Sequence, residues 1–323
     1  MHYRSVNDLL TLLGKHLDRI PRNLDLVVGV SPGGLFLARM LAIKLNLPCT
    51  DLDTFERNGH LEREAVRSYR HEPLIRAREA RKVLLVEDSG SGASMRELAT
   101  RIAAGFPGKI MTLAAYAPAG HAEDLDQVLE RLDQPAMFEW NLMQHPSLSR
   151  ACLDIDGVLC VDPTHQQNDD GANYLQFLRN AQPLYIPGLQ VAHLVTSRLE
   201  KYRGETEEWL DRHGVRYGQL HMLDLPSAAE RRRLKVHHRF KADVYRSFPD
   251  TQLFIESELG QALDIAHLSR KPVFCIESNA LYNAGWQLLA LRASHRGQVL
   301  NRRVGARFGR LLGGQQPGVL AGP

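Results

Sequence analysis

The stretch "KVLLVEDSGSGASM", residues 82–95, runs from a strand pattern into a helix pattern with almost nothing between them. Val83–Val86 are continuously apolar, as in a strand covered on both faces, and Glu87 and Asp88 close the run. Small residues then lead into a helical pattern. Glycines and hydroxyls between a strand and a helix let backbone N–H groups wrap a phosphate at the helix N-terminus. Adjacent carboxylates at the strand end can hold two neighbouring hydroxyls. A sugar with vicinal hydroxyls and a 5′-phosphate suits both ends of this stretch.

Working outward, the same grammar repeats. Apolar runs of strand length occur at 25–30, 82–88, 110–116, 151–156, 191–197, 252–257 and 271–277, separated by helical patterns such as 34–46, 93–105, 199–213 and 259–269. Strands alternating with helices predict α/β architecture with parallel sheets, whose ligands bind outside the C-terminal strand ends. The chain has 323 residues, enough for two domains at roughly 150 residues each. The polar, proline-bearing stretch "NLMQHPSLSR" (141–150) is the expected boundary, giving domains at 1–145 and 150–290, followed by a basic, Gly/Pro-rich tail at 291–323. Arg292, Arg296, Arg302, Arg303, Arg307 and Arg310 lie in that tail, which reads as a solvated terminus or as a basic arm.

With 44% hydrophobic residues, 24% charged residues and a net charge of +3, composition is that of a globular protein, and the charge is too mild to imply by itself a nucleic-acid partner, which is not expected. There is no charged-then-apolar leader and no apolar run of about 18 residues, so neither export nor a membrane span is expected, and a cytoplasmic location is. Cys49, Cys152, Cys160 and Cys275 have no metal or disulfide spacing and read as small apolar residues.

The first half resembles the type I phosphoribosyltransferases, in which an apolar strand precedes an acidic pair and a Thr-Gly-x-Thr-like phosphate loop. The resemblance covers roughly residues 20–140. It implies that Glu87 and Asp88 contact ribose hydroxyls and that Ser91, Gly92, Ala93 and Ser94 cradle the 5′-phosphate. The earlier turn "GVSPGGL" (29–35), with Ser31, Gly33 and Gly34, falls where that family binds pyrophosphate. The loop after the acid pair is one residue shorter than the family's. The arginine-rich segment 56–81 offers Arg57, Arg63, Arg67 and Arg70 for diphosphate charge, or for a solvated face; Phe55 and Tyr69 read equally as core. The resemblance is compatible with a homodimer.

The second half carries "CLDIDGVLC" (152–160), with Asp154 and Asp156 one residue apart at the end of an apolar run. Two carboxylates in one small space need positive charge between them, and a hard cation such as Mg²⁺ suits oxygen donors. The first could then attack phosphorus and the second protonate the departing oxygen. A hydroxyl, a lysine and a further acid are expected downstream, and they occur in order. Thr196 and Ser197 end one strand pattern, Lys241 precedes another by a helix, and Glu256 and Glu258 end that one. Residues 151–277 thus resemble the haloacid dehalogenase (HAD) superfamily of phosphohydrolases. The resemblance implies Asp154 as nucleophile, Asp156 as general acid/base, Thr196 as phosphate-binding hydroxyl and Lys241 as the charge-holding lysine, with Mg²⁺ held by Asp154, Asp156 and Glu256. Lys235 and Glu258 are the alternatives for the last two motifs. Residues 157–190 leave room for only a small cap over the site, and Asp162, His165 and Asp169 there read as a solvated loop.

Together these readings predict two Rossmann-like parallel-sheet domains, an N-terminal phosphoribosyltransferase fold and a C-terminal HAD-like fold with a small cap. The expected chemistry is transfer from 5-phosphoribosyl 1-diphosphate to a base-like acceptor and hydrolysis of a phosphate monoester, a nucleotide or a sugar phosphate. Two rivals keep Asp154 and Asp156 at work: a phosphatase regulated by a non-catalytic sensing domain, and a phosphatase acting on nucleic-acid ends.

Overall fold

A computed structural model describes residues 1–62, 74–90 and 92–298. The chain divides into two compact units, Met1–Leu142 and Met143–Pro323.

The first unit contains β1 (His2–Arg4), α1 (Val6–His16), β2 (Leu26–Gly29), α2 (Pro32–Leu45), β3 (Cys49–Asp51), α3 (Leu52–Glu56), β4 (Lys82–Ser89), α4 (Gly92–Ala103), β5 (Lys109–Ala117), β6 (Gln127–Arg131) and β7 (Ala136–Phe138). Its sheet has the order β3-β2-β4-β5-β6, with every neighbouring pair parallel. The chain leaves β2 toward β3 on one side and reaches β4, β5 and β6 on the other. The order therefore reverses between β2 and β4, and the crevice outside their C-terminal ends is where such a sheet binds ligands. Alternation along the strands builds two cores. Leu26, Val28, Val83 and Leu85 pack with Phe55, Met95, Ile102 and Phe106 on one face; Val27, Leu84 and Val86 pack with Leu37, Leu41, Tyr116 and Phe138 on the other. β1 and β7 form a separate parallel pair. A capping box between Ser5 and Asp8 starts α1, a helix the sequence reading did not anticipate.

The second unit contains β8 (Ala151–Leu153), α5 (Ala172–Asn180), β9 (Val191–Leu199), α6 (Arg203–Arg212), β10 (Tyr217–Leu223), α7 (Ala228–Leu234), α8 (His237–Ser247), β11 (Leu253–Glu256), α9 (Leu259–Ser269), β12 (Val273–Cys275) and β13 (Ala280–Tyr282). The sheet order is β10-β9-β8-β11-β12-β13, and only β13 is antiparallel to its neighbour. Here the order reverses between β8 and β11. Cys152, Val195 and Phe254 pack under Ala242 and Tyr245 of α8 and Ala262 and Ile265 of α9.

The expected tail start at 291 cuts through a helix that runs from 286 to 298. Leu288 is buried against the α8/α9 core, and Arg292 donates to Asp264 on α9 at 2.6 and 2.9 Å. Those contacts hold residues 291–298 to the unit, so Arg292 and Arg296 are docked rather than part of a free arm. Arg302, Arg303, Arg307 and Arg310 lie outside the described residues. No helix among the described residues is long and apolar enough to cross a membrane.

Candidate functional site

At the first reversal point, Ser31 ends the β2 turn and caps α2, its Oγ accepting from the Gly34 amide at 2.9 Å. The same hydroxyl donates to Glu87 at the end of β4 and lies 3.3 Å from Asp88 Oδ1. A Cβ on Gly33 would sit 2.3 Å from the Asp88 carboxylate, so only glycine allows the helix start to approach the acid pair. On its other side Asp88 Oδ2 accepts from the Trp140 indole at 2.5 Å. Trp140 is itself stacked on Phe138. Two acids thus meet a hydroxyl and an indole, and no Lys or Arg side chain among the described residues pairs with either. Burial, reinforced by the neighbouring Asp88 and only partly offset by Ser31, pushes the Glu87 carboxyl up to about 8. The site therefore carries a proton near neutral pH.

The structure brings Ser31, Gly33, Gly34, Glu87 and Asp88 into one place. Gly92, Ala93 and Ser94 form the first turn of α4, separated from the acid pair by three residues in the chain. Ser91 lies outside the described residues, as do Arg63, Arg67, Tyr69 and Arg70. Arg57 is exposed and pairs with Asp53 at 2.6 Å, and Phe55 belongs to the core. Trp140 was not anticipated. Its distance of 52 residues from Asp88 leaves no sequence signal for the contact.

At the second reversal point β8 stops at Leu153, one residue before Asp154. Asp154 Oδ1 accepts from the Ile155 amide at 2.8 Å, which turns the chain. Gly157 has φ +75, and a Cβ there would lie 2.5 Å from the Ser257 side chain; the turn after Asp156 demands glycine. Lys241 Nζ bridges Asp154 Oδ2 at 2.6 Å and Glu256 Oε2 at 2.8 Å, all three side chains being buried. Burial alone would pull the Lys241 ammonium down, but the two carboxylates reverse this and hold it above its ordinary value. Lys235, the alternative lysine, is exposed and ends α7 with a left-handed backbone.

Asp156 is taken by Arg198, which the sequence reading did not single out. Arg198 has no exposed surface, and its Nε and Nη2 reach the Asp156 carboxylate at 3.2 and 2.7 Å. Its Nη2 also lies 3.3 Å from Cys160 Sγ, and its backbone amide donates to Thr196 Oγ1 at 3.2 Å. Thr196 and Asp156 are thereby linked through one residue. The signal was the Thr-Ser-Arg triplet 196–198, in which period two places Arg198 on the same side of β9 as Thr196. Arg231 donates to the Ser197 carbonyl at 2.7 Å. Next to it, burial together with Arg231 and Lys241 pulls the His237 imidazole down to about 4.

Among the described residues no three His, Cys, Asp or Glu side chains converge on a metal position. The expected Mg²⁺ set of Asp154, Asp156 and Glu256 does not fit as it stands. Lys241 holds Asp154 and Glu256, Arg198 holds Asp156, and the other oxygen of Glu256 accepts from the Ser257 amide at 3.0 Å. Glu258 is not its replacement in that cluster, since it receives the Gln261 amide at 2.8 Å. Asp169 caps α5 through the Gly171 and Tyr174 amides, which gives that loop acid a structural task.

Residues 3–142 match the family model described as phosphoribosyl transferase domain. That match coincides with the first unit and ends where it ends. No curated protein matches the chain. Among solved structures it is similar to the Helicobacter pylori xanthine-guanine-hypoxanthine phosphoribosyltransferase, at 18% identity and TM-score 0.33, covering 44% of this chain and 92% of that one. A purine phosphoribosyltransferase from Pyrococcus horikoshii aligns at 16% identity and TM-score 0.29, covering 43% and 92% of the two chains. A Trypanosoma cruzi hypoxanthine phosphoribosyltransferase in complex with the product IMP aligns at 16% identity and TM-score 0.26, covering 40% and 77%.

Proposed function

We propose that the first unit transfers a phosphoribosyl group from 5-phosphoribosyl 1-diphosphate to a base-like acceptor, and that the second unit hydrolyses a phosphate monoester. The first part is supported by the domain match over residues 3–142 together with an acid pair at the β2/β4 reversal point. Glu87 and Asp88 supply acceptors for ribose hydroxyls. The α4 turn that follows supplies backbone donors for the 5′-phosphate. A Mg²⁺ complex of the diphosphate, as substrate, would bring positive charge to a pair that has no Lys or Arg partner among the described residues.

The observation that carries the second part is the buried Lys241 bridge between Asp154 and Glu256 at the ends of β8 and β11. Lys241 holds one Asp154 oxygen in place and carries charge that an incoming phosphate requires. Asp154 attacks phosphorus as the ester P–O bond breaks, and the departing oxygen takes its proton from the Asp156 carboxyl in its protonated form, which regains one from the water of the second step. Water then cleaves the aspartyl-phosphate and releases inorganic phosphate. Thr196 supplies a hydroxyl to the phosphoryl oxygens. In sequence, the two steps would leave a dephosphorylated, nucleoside-like product.

Mass spectrometry with 5-phosphoribosyl 1-diphosphate, Mg²⁺ and a panel of bases, with pyrophosphate and phosphate both quantified, tests both parts. Base-dependent pyrophosphate release, and accumulation of a nucleotide by the Asp154→Asn variant that the parent dephosphorylates, is the expected result. Phosphate release should fall by at least about 10³-fold in that variant. Equal phosphate release by the two proteins sinks the hydrolase reading.

A second reading has a specific observation in its favour. Asp88 is already engaged by Trp140, and Glu87 by Ser31. A unit that binds phosphoribosyl diphosphate without turning it over, and regulates the second unit, would show ligand-dependent phosphate release with no pyrophosphate.

A further inference from the structure

A cavity of about 480 Å³ opens beside α5, away from both acid pairs in the residues that line it. Seven of the chain's 26 Asn and Gln residues fall within the 19 residues 164–182, and six of them line this cavity: Gln166, Gln167, Asn173, Gln176, Asn180 and Gln182. The rest of the wall is apolar, with Phe177 at its base, and no charged side chain takes part. Helical spacing places Asn173, Gln176 and Asn180 along one face of α5. Two of the carboxamides are fixed from within. Gln167 Oε1 accepts from the Thr164 amide and hydroxyl, both at 3.0 Å, and Asn180 Nδ2 donates to the Gln176 carbonyl at 2.9 Å. The side chains of Gln166, Asn173, Gln176 and Gln182 make no hydrogen bond among the described residues.

Each free carboxamide offers two N–H donors and one carbonyl acceptor. Such a wall matches an uncharged ligand whose edge carries donors and acceptors together. It offers no counter-charge to an anion or a cation, whose lost hydration its carboxamides would replace only in part. The volume falls in the range of small-molecule sites, and the lining is more polar than is usual for them.

We propose that this cavity is a binding site for a neutral ligand rich in both hydrogen-bond donors and acceptors, of nucleobase or sugar size. The inference rests on the cavity and its lining and is independent of the two chemical readings above.

Saturation-transfer NMR and calorimetric titration of the full chain with guanosine, uridine and N-acetylglucosamine test it, with inorganic phosphate as the charged counterpart. The nucleosides and the amino sugar separate the two sources of this ligand chemistry. Asn173→Asp and Gln176→Glu each exchange a carboxamide for a carboxylate of nearly the same shape, on exposed positions whose side chains support nothing else. At least one neutral probe should bind, and each variant should weaken it about tenfold. Three results overturn the proposal: no neutral probe binding, binding equal in both variants and the parent, or inorganic phosphate competing for the same position. Binding that survives both variants lies elsewhere in the chain.

Discussion

The two strand-end acid pairs stand in the same topological place and are balanced in opposite ways. In the second unit three carboxylates, Asp154, Asp156 and Glu256, meet two buried cations, Lys241 and Arg198. In the first unit, among the described residues, Glu87 and Asp88 meet the Ser31 hydroxyl and the Trp140 indole and no Lys or Arg side chain. Burial pushes a carboxyl up in both pairs, Asp154 in the second unit and Glu87, to about 8, in the first. The second site is held by internal salt bridges, whereas among the described residues no Lys or Arg side chain pairs with the first.

Breaking the second site's internal balance should give the largest effect. Lys241→Met leaves Asp154 and Glu256 buried without a counter-charge and should destabilise the second unit by about 3–5 kcal/mol, read by urea denaturation. A loss below about 1 kcal/mol would show that the bridge is not buried in solution, and the contrast with the first site would collapse.

Arg198→Gln should cost somewhat less, about 2–3 kcal/mol, because the Asp156 carboxylate keeps some contact with water. A loss below about 1 kcal/mol in urea denaturation would remove Arg198 from the account.

The first site sharpens the comparison through pH. Glu87 binds its proton more tightly folded, near 8, than unfolded, near 4.5, so the folded state holds a proton the unfolded state has lost across that window. Stability of the first unit should therefore fall as pH rises from about 4.5 to about 8, and Glu87→Gln should flatten that slope. Binding of a magnesium diphosphate should release a proton at pH 7, measurable by calorimetry in buffers of different ionisation enthalpy. A slope unchanged in Glu87→Gln would assign the titration elsewhere.

Ser31→Ala should have the smallest effect on stability. It removes a helix cap worth about 1 kcal/mol and also the hydroxyl that favours the ionised Glu87. The Glu87 carboxyl should move further up in the variant, and a downward shift would reverse the assigned role of that hydroxyl.

Much of the architecture was legible because parallel strands covered on both faces leave continuous apolar runs. The runs at 82–88 and 191–197 correspond to β4 and β9, and Glu87 and Asp88 lie at the end of β4 while Gly92 opens α4, as the strand-to-helix signal predicts. Short edge strands such as β3 and β13, at three residues each, carry no such run and did not register. Within the sites, distant residues that belong to an expected order of motifs, such as Lys241 and Glu256 with Asp154, were accessible, while Arg198 and Trp140, which belong to none, were not. Arg198 was two residues from Thr196 and could have been read from strand period. Trp140 reaches Asp88 from a separate segment, and only packing reveals it. For Glu256 too, sequence names the carboxylate but not its full set of partners, here Lys241 and the Ser257 amide.

Ser31 has a consequence for observation. Its oxygen receives the Gly34 amide at 2.9 Å while its proton goes to Glu87, so one hydroxyl joins the first turn of α2 to the protonation of the acid pair. Anything that strips the proton from Glu87 or displaces Ser31 should alter how long the Gly34 amide keeps its hydrogen in deuterated water. That single exchange rate is an intrinsic occupancy gauge, readable without turnover, label or knowledge of the acceptor.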